Sequence, residues 1–206
     1  MRWTSTLAVF LTVLAVSASP ITTQSKCHGC RGITGNDTRY FCGDSRLGPA
    51  VFPKTKPLVA ILANYDRFGG LCPDEFLQKY TNASTGSFVY PPQEGFQLSN
   101  TSMPIDGNQT LTPGLLLDRF GSEFGMFLAP AYTPFGQRAL PPSSLNKPAD
   151  GHPVGNYHLY KVEREFTVLT GTIASWFNQP GQGTQYLADT NVMMLVQEGF
   201  LSRVGG

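Results

Sequence analysis

Apolar residues fall in short runs along this chain, and no run keeps a helical period for long. The longest, residues 7–16 (LAVFLTVLAV), follows Arg2 and is interrupted only by Thr12. Val16-Ser17-Ala18 then places small residues where a signal peptidase cuts, so the pattern predicts an export signal removed after Ala18. The run is too short to anchor in a membrane, which takes about 20 apolar residues. Residues 19–57 are polar and rich in turn formers. Residues 58–63 (LVAILA) predict a short buried element, helix or strand. Pro73-Asp74-Glu75 opens a helix running to Tyr80, because proline and acids suit a first turn. Phe88-Val89-Tyr90 predicts a brief strand closed by Pro91-Pro92.

From Pro113 onward the pattern sharpens. Leu115-Leu116-Leu117 leads into Asp118-Arg119-Phe120-Gly121, and Met126-Phe127-Leu128 forms a second short apolar segment. Residues 157–162 and 166–169 predict strands. A turn-rich loop over 179–186 feeds another strand. Asp189 or Thr190 is positioned to cap a closing helix over 192–198, with Gly199 just past its end. Short strands outnumber helices, which predicts an α+β fold, mostly β. Three parts are expected: a signal peptide (1–18), a cysteine-containing N-terminal extension (19–85) and a principal domain (86–206). Asp66-Arg67-Phe68-Gly69 echoes residues 118–121, but the flanks differ, so the repeat reads as local turn chemistry rather than duplication.

Charge narrows the partners. Only 14% of residues are charged and the formal net charge is +1, which the loss of Arg2 would cancel. A neutral chain has no electrostatic case for nucleic acid or an anionic membrane surface. Cys27, Cys30, Cys42 and Cys72 are even in number, and in an exported chain they predict two disulfides. Cys27-His28-Gly29-Cys30 also resembles half a zinc site or a redox motif; the zinc reading needs two more nearby ligands, for which Cys42 with His28 is only a loose match. A Cys27–Cys30 bridge would close a tiny loop, so each is expected to pair with Cys42 or Cys72. Sequons at Asn36, Asn82, Asn100 and Asn108 predict exposed, glycosylated loops. No metal is predicted, and no acidic loop of EF-hand type exists for calcium.

Generic catalytic motifs are missing: no Gly-x-Ser-x-Gly, P-loop, His-Glu-x-x-His or dinucleotide-binding glycine fingerprint. The candidate chemistry lies in a polar set, Arg119, Arg138, His158 and Gln185, each beside glycine, proline or aromatic residues at predicted strand ends. Their spacing alone does not identify a reaction.

Five ordered blocks do point further. They are Tyr90-Pro-Pro-Gln-Glu-Gly-Phe96; Leu117-Asp-Arg-Phe-Gly-Ser122 with Gly125-x-Phe-Leu-x-Pro130; Thr133-Pro-Phe-x-x-Arg-Ala-Leu-Pro-Pro142; Asn156-Tyr-His-x-Tyr160; and Trp176-Phe-x-Gln-Pro-Gly-x-Gly-Thr-Gln-Tyr186. In order and spacing they resemble the tuberculosis necrotizing toxin (TNT) domain family, in its fungal secreted branch. The resemblance implies a fold distantly related to ADP-ribosyltransferases. It implies an enzyme that cleaves NAD+, usually also NADP+, to nicotinamide and ADP-ribose, with NAD+ as substrate and no cofactor. The family's arginine carries over to Arg119 and its glutamine to Gln185, with Arg138 as second arginine and His158 as the histidine.

The chemistry suits those residues. Nicotinamide departs neutral from a cationic linkage, so no general acid is needed. Gln185 can bond ribose hydroxyls, and the two guanidinium groups can fork onto pyrophosphate. Phe135, Tyr132 and Trp176 are candidates to stack on nicotinamide or adenine. Phe120 and Phe127 are expected to pack, and Asp118 to orient an arginine. A mono-ADP-ribosyltransferase, a non-enzymatic secreted binding effector and a small ribonuclease are the competing readings. A homodimer is expected, since the extension needs a use, and the location is extracellular or cell surface.

Overall fold

The computed structural model describes residues 27–148 and 156–205; the expected signal peptide and its cut lie outside them. Seven antiparallel strands form one sheet in the order β1-β5-β6-β3-β2-β4-β7. They are β1 (Asp106–Leu111), β2 (Leu116–Phe120), β3 (Phe127–Pro130), β4 (Tyr157–Val162), β5 (Phe166–Thr172), β6 (Thr184–Leu187) and β7 (Leu201–Arg203). Three short helices accompany them: α1 (Leu58–Ile61), α2 (Pro73–Tyr80) and α3 (Val192–Gln197). The α+β, mostly β expectation holds.

One face of the sheet carries Leu117, Leu128, Tyr160, Val168 and Tyr186, and α3 lays Val192 and Leu195 against them. Burial of each such side chain is worth roughly 1.5–3 kcal/mol. Asn191 caps α3 by accepting the Met194 N–H at 2.9 Å, so the cap is neither Asp189 nor Thr190. The side chain of Asn191 lies one turn-step closer to the open N–H groups that need an acceptor. Gly199, at φ +76°, follows the helix as predicted.

Other local expectations shift. Residues 88–90 make no strand; Phe88 forms only an isolated bridge to Thr81, beside a single Val89 N–H bond to the Tyr80 carbonyl at 2.8 Å. Residues 58–63 resolve as the one-turn helix α1. Strands β1 and β7 carry no sequence signal strong enough to predict them. Five of the six residues of β1 are exposed, and pairing with β5 alone makes it a strand.

The segment before residue 85 packs onto the later strands. Leu58, Ile61 and Leu62 join Phe120, Phe135, Leu145 and Tyr157 in one apolar cluster. Leu47, Phe68, Phe76 and Tyr80 enclose Phe177 in another. Disulfides Cys27–Cys72 and Cys30–Cys42 tie this region together, as the spacing suggested. The Cys72 N–H donates to Glu75 Oε2 at 2.9 Å, which fastens the start of α2 to one of these bridges. The Asp66–Gly69 echo is a coincidence of letters. Arg67 sits over the Phe52 ring at 4.1 Å and donates to the Leu47 carbonyl at 2.7 Å, whereas Arg119 belongs to a strand. Burial lowers the Arg67 pKa to about 10.

The two bridges close loops of different length, with sequence separations of 45 and 12. The loop-entropy relation gives about 4 kcal/mol for the long one and about 3 kcal/mol for the short one. Denaturant unfolding of the Cys27→Ser/Cys72→Ser and Cys30→Ser/Cys42→Ser variants should therefore show the larger loss in the first.

Candidate active site

Strand alternation decides which side chains meet. Asp118 and Phe120 leave β2 on the face opposite the main core, and Asp118 lies across from Ala129 of β3. Gln185 adjoins the core residue Tyr186, so it too leaves on that opposite face. A cavity of about 650 Å³ opens there, within the range of pockets that enclose a small ligand. Arg119, Phe120, Phe127, Arg138 and Gln185 line it, with Tyr90 and Glu94 on the segment that crosses it.

Asp118 is fully buried and is the cavity's electrostatic anchor. Its Oδ1 meets Arg138 Nη1 at 2.6 Å, and its Oδ2 accepts from Arg138 Nη2 at 2.8 Å. The Tyr132 N–H donates to Oδ2 at 2.7 Å and the Tyr157 hydroxyl at 3.0 Å. Burial, followed by the neighbouring carboxylate, pushes the Tyr157 phenol far above its usual range, so it stays a donor. Arg138 also gives its Nε–H to the Thr133 carbonyl at 2.9 Å and rests over the Phe120 ring. The arginine that Asp118 orients is therefore Arg138. It reaches the cavity wall as half of a buried pair.

Arg119 is placed differently. It stands opposite His158 in the β2–β4 register, on the face of Leu117 and Tyr160. It borders the cavity at the end of β2, where its Nε donates to the Ser122 carbonyl at 2.7 Å and its Nη1 to Phe127 at 2.8 Å. The guanidinium thus fills the β2–β3 connection. A Cβ at 125 would collide with that guanidinium, so any side chain there would displace it from these two carbonyls. Burial lowers the Arg119 pKa.

Gln185 does face the cavity. Its Nε2 donates to the Glu94 carbonyl at 2.9 Å, and its register partner is Gly171. His158 is outside the cavity lining: it leaves β4 on the core face, its ring parallel to Tyr160 and its Nδ1 3.8 Å from Glu123 Oε1. Burial lowers its pKa, and its Nε2 is buried with no hydrogen-bond partner among the described residues. The three aromatic candidates lie elsewhere as well. Phe135 is fully buried between Tyr65 and Phe120. Trp176 is held by its indole N–H to the Val89 carbonyl at 2.8 Å, beside Tyr80. Tyr132 is exposed and acts through its backbone N–H.

Sequence reasoning passed over Phe120 and Phe127, read as packing residues, and over Tyr90 and Glu94. The Tyr90–Phe96 block held the signal for the last two. The four sequon asparagines are all exposed. Among the described residues no group of three or more His, Cys, Asp and Glu side chains is arranged to hold a metal ion. No described helix is long and apolar enough to cross a membrane.

Comparisons with known proteins point to one family. The family described as tuberculosis necrotizing toxin (TNT) matches residues 110–204. The conidial surface nicotinamide adenine dinucleotide glycohydrolase nadA of Aspergillus fumigatus is 51% identical over 177 residues, covering 85% of this chain and 75% of its own. Among solved structures, tuberculosis necrotizing toxin complexed with its immunity factor shares the fold. The TM-score is 0.55 at 20% identity, over 77% of this chain and 87% of that one.

Removing one partner of a buried ion pair strands the other charge, at a cost of about 3–5 kcal/mol. Asp118→Ala should lose that much in denaturant unfolding. His158 and Glu123 both titrate below their ordinary values, His158 through burial and Glu123 first through its hydrogen bond from Arg203. A lowered folded-state pKa means the unfolded chain binds protons first. The His158 contribution is thus complete above about 6.5, its ordinary value, and is lost as pH falls through the lowered folded value. Unfolding midpoints should fall on acidification from pH ~7 to ~5, and His158→Gln should flatten the upper part of that slope.

Proposed function

The chain belongs to the tuberculosis necrotizing toxin family, and from that premise we infer that it hydrolyses NAD+ between nicotinamide and ribose. The observation that carries the reading is the single cavity that brings the motif side chains Arg119, Arg138 and Gln185 to its walls. The C1′–N1 bond breaks with its electron pair going to nicotinamide, which leaves neutral. Water adds to C1′ of the ribosyl cation and releases a proton to solvent. Gln185 holds the ribose through its amide, and the cavity's aromatic walls, Phe120 and Phe127, present apolar surface to a planar base. The cationic edge of Arg138 faces the substrate's anionic pyrophosphate. The proposed reaction needs no cofactor, because the leaving group carries the driving force.

NADP+ is a second proposed substrate, since its extra phosphate is remote from the bond that breaks. Export to the cell surface is proposed from the conidial surface relative and from two disulfides that an oxidising compartment permits. Glycans at the exposed sequons belong to the same proposal. A homodimer stays a proposal, although the extension already has an intrachain use in packing against the sheet.

Purified protein should release nicotinamide and free ADP-ribose from NAD+ labelled in the adenosine half. Label retained on an acceptor protein would instead indicate transfer, and no turnover would reject the reading. Gln185→Ala should cut kcat by about 10²–10³ with a smaller change in KM, since its bonds tighten as the cation develops.

A further inference from the structure

Gln93, Glu94 and Gly95 are consecutive residues in the left-handed backbone region, at φ +50°, +54° and +80°. Two of the three carry side chains, for which this region is disfavoured. The turn persists because it is fastened on every side. The Gln93 carbonyl accepts from Phe96 N–H at 3.1 Å, and the Gly95 carbonyl from Ala174 N–H at 2.9 Å. Gln97 N–H donates to Thr172 at 2.8 Å, and Phe96 bridges to Ile173. The Phe96 ring, almost wholly buried, lies over Gly171, where a Cβ would come within 2.8 Å of it. Gly171 is the register partner of Gln185. The middle carbonyl, that of Glu94, is aimed at the Gln185 amide and accepts its Nε2–H at 2.9 Å.

We propose that the Gln93–Gly95 turn is a positioning device for Gln185, which fixes the amide so that its oxygen faces the sugar and which demands an amide rather than a carboxylate at 185. The proposal rests on the NAD+ hydrolysis reading and extends it. A carbonyl acceptor admits only the NH2 end of the amide, because two oxygens at that distance repel. The Gln185 oxygen is therefore left for the cavity as an acceptor for ribose hydroxyl donors. A hydroxyl that donates to it gains electron density on its own oxygen, which steadies the cation developing at the adjacent carbon. A carboxylate at 185 would present a lone pair to the Glu94 carbonyl and be driven off. Protonated, it would regain one donor and return.

Gln185→Glu tests this directly, assayed for free ADP-ribose alongside the parent from pH ~8 to ~5. Activity relative to the parent should be lost at neutral pH and recover as pH falls and the carboxyl takes up a proton. A flat ratio overturns the proposal. The second arm compares Glu94→Pro, whose ring forbids positive φ, with Glu94→Asn, which tolerates it. A misplacement of about 1 Å costs about a hundredfold, so Glu94→Pro should lose about that factor in kcat with KM little changed, and Glu94→Asn should restore most of it. Equal kcat in the two variants would also overturn the proposal. A parent that fails to turn over NAD+ would instead reject the underlying reading, so the two failures are distinct.

Discussion

A carboxylate sealed from water organises the cavity. Asp118 is fully buried, and the fold surrounds it with donors from three places: Arg138, the backbone of Tyr132 and the hydroxyl of Tyr157. Those donors lie on β4, on the turn after β3 and on the segment that follows it. Each must stay put to satisfy the charge, and together they hold the wall formed by Phe120 and Ala129. The pair supplies geometry more than net stability, since burying two charges consumes most of what their attraction returns.

The second constraint is backbone approach. At Gly125 the β2–β3 connection comes so near the Arg119 guanidinium that a side chain would displace it, and at Gly171 the Phe96 ring takes the place a side chain would have. Arg119 accordingly braces the connection through two carbonyls rather than standing free in the cleft. Gln185 owes its orientation to main chain as well. Two of the polar residues that define the site are thus set by carbonyl groups, which no sequence motif names.

The N-terminal extension packs against this arrangement. Its apolar residues share a cluster with Phe120, Phe135 and Tyr157, and Phe120 lines the cavity. Its aromatic residues enclose Phe177 on the loop that leads to Gln185. The two disulfides tie together the segment whose side chains enter these clusters.

Much was legible in the chain alone. Alternating apolar residues over 157–162 announced β4, proline and acids announced α2, and the cysteine count with its spacing announced two bridges between the right halves. The Arg119, Arg138 and Gln185 blocks pointed to the family and its chemistry. What the chain could not disclose depends on partners distant in sequence. Strand β1 is polar and exists only because β5 pairs with it. His158 and Gln185 both sit on strands, yet register sends one to the core face and the other to the cavity. Phe135 and Trp176 look as fit to stack on a ligand as Phe120 does; only packing buries the first, ties the second to Val89 and leaves the third at the cavity wall. Local pattern records what a residue is able to do, while its side of the sheet and its free atoms are decided by neighbours that folding brings from elsewhere.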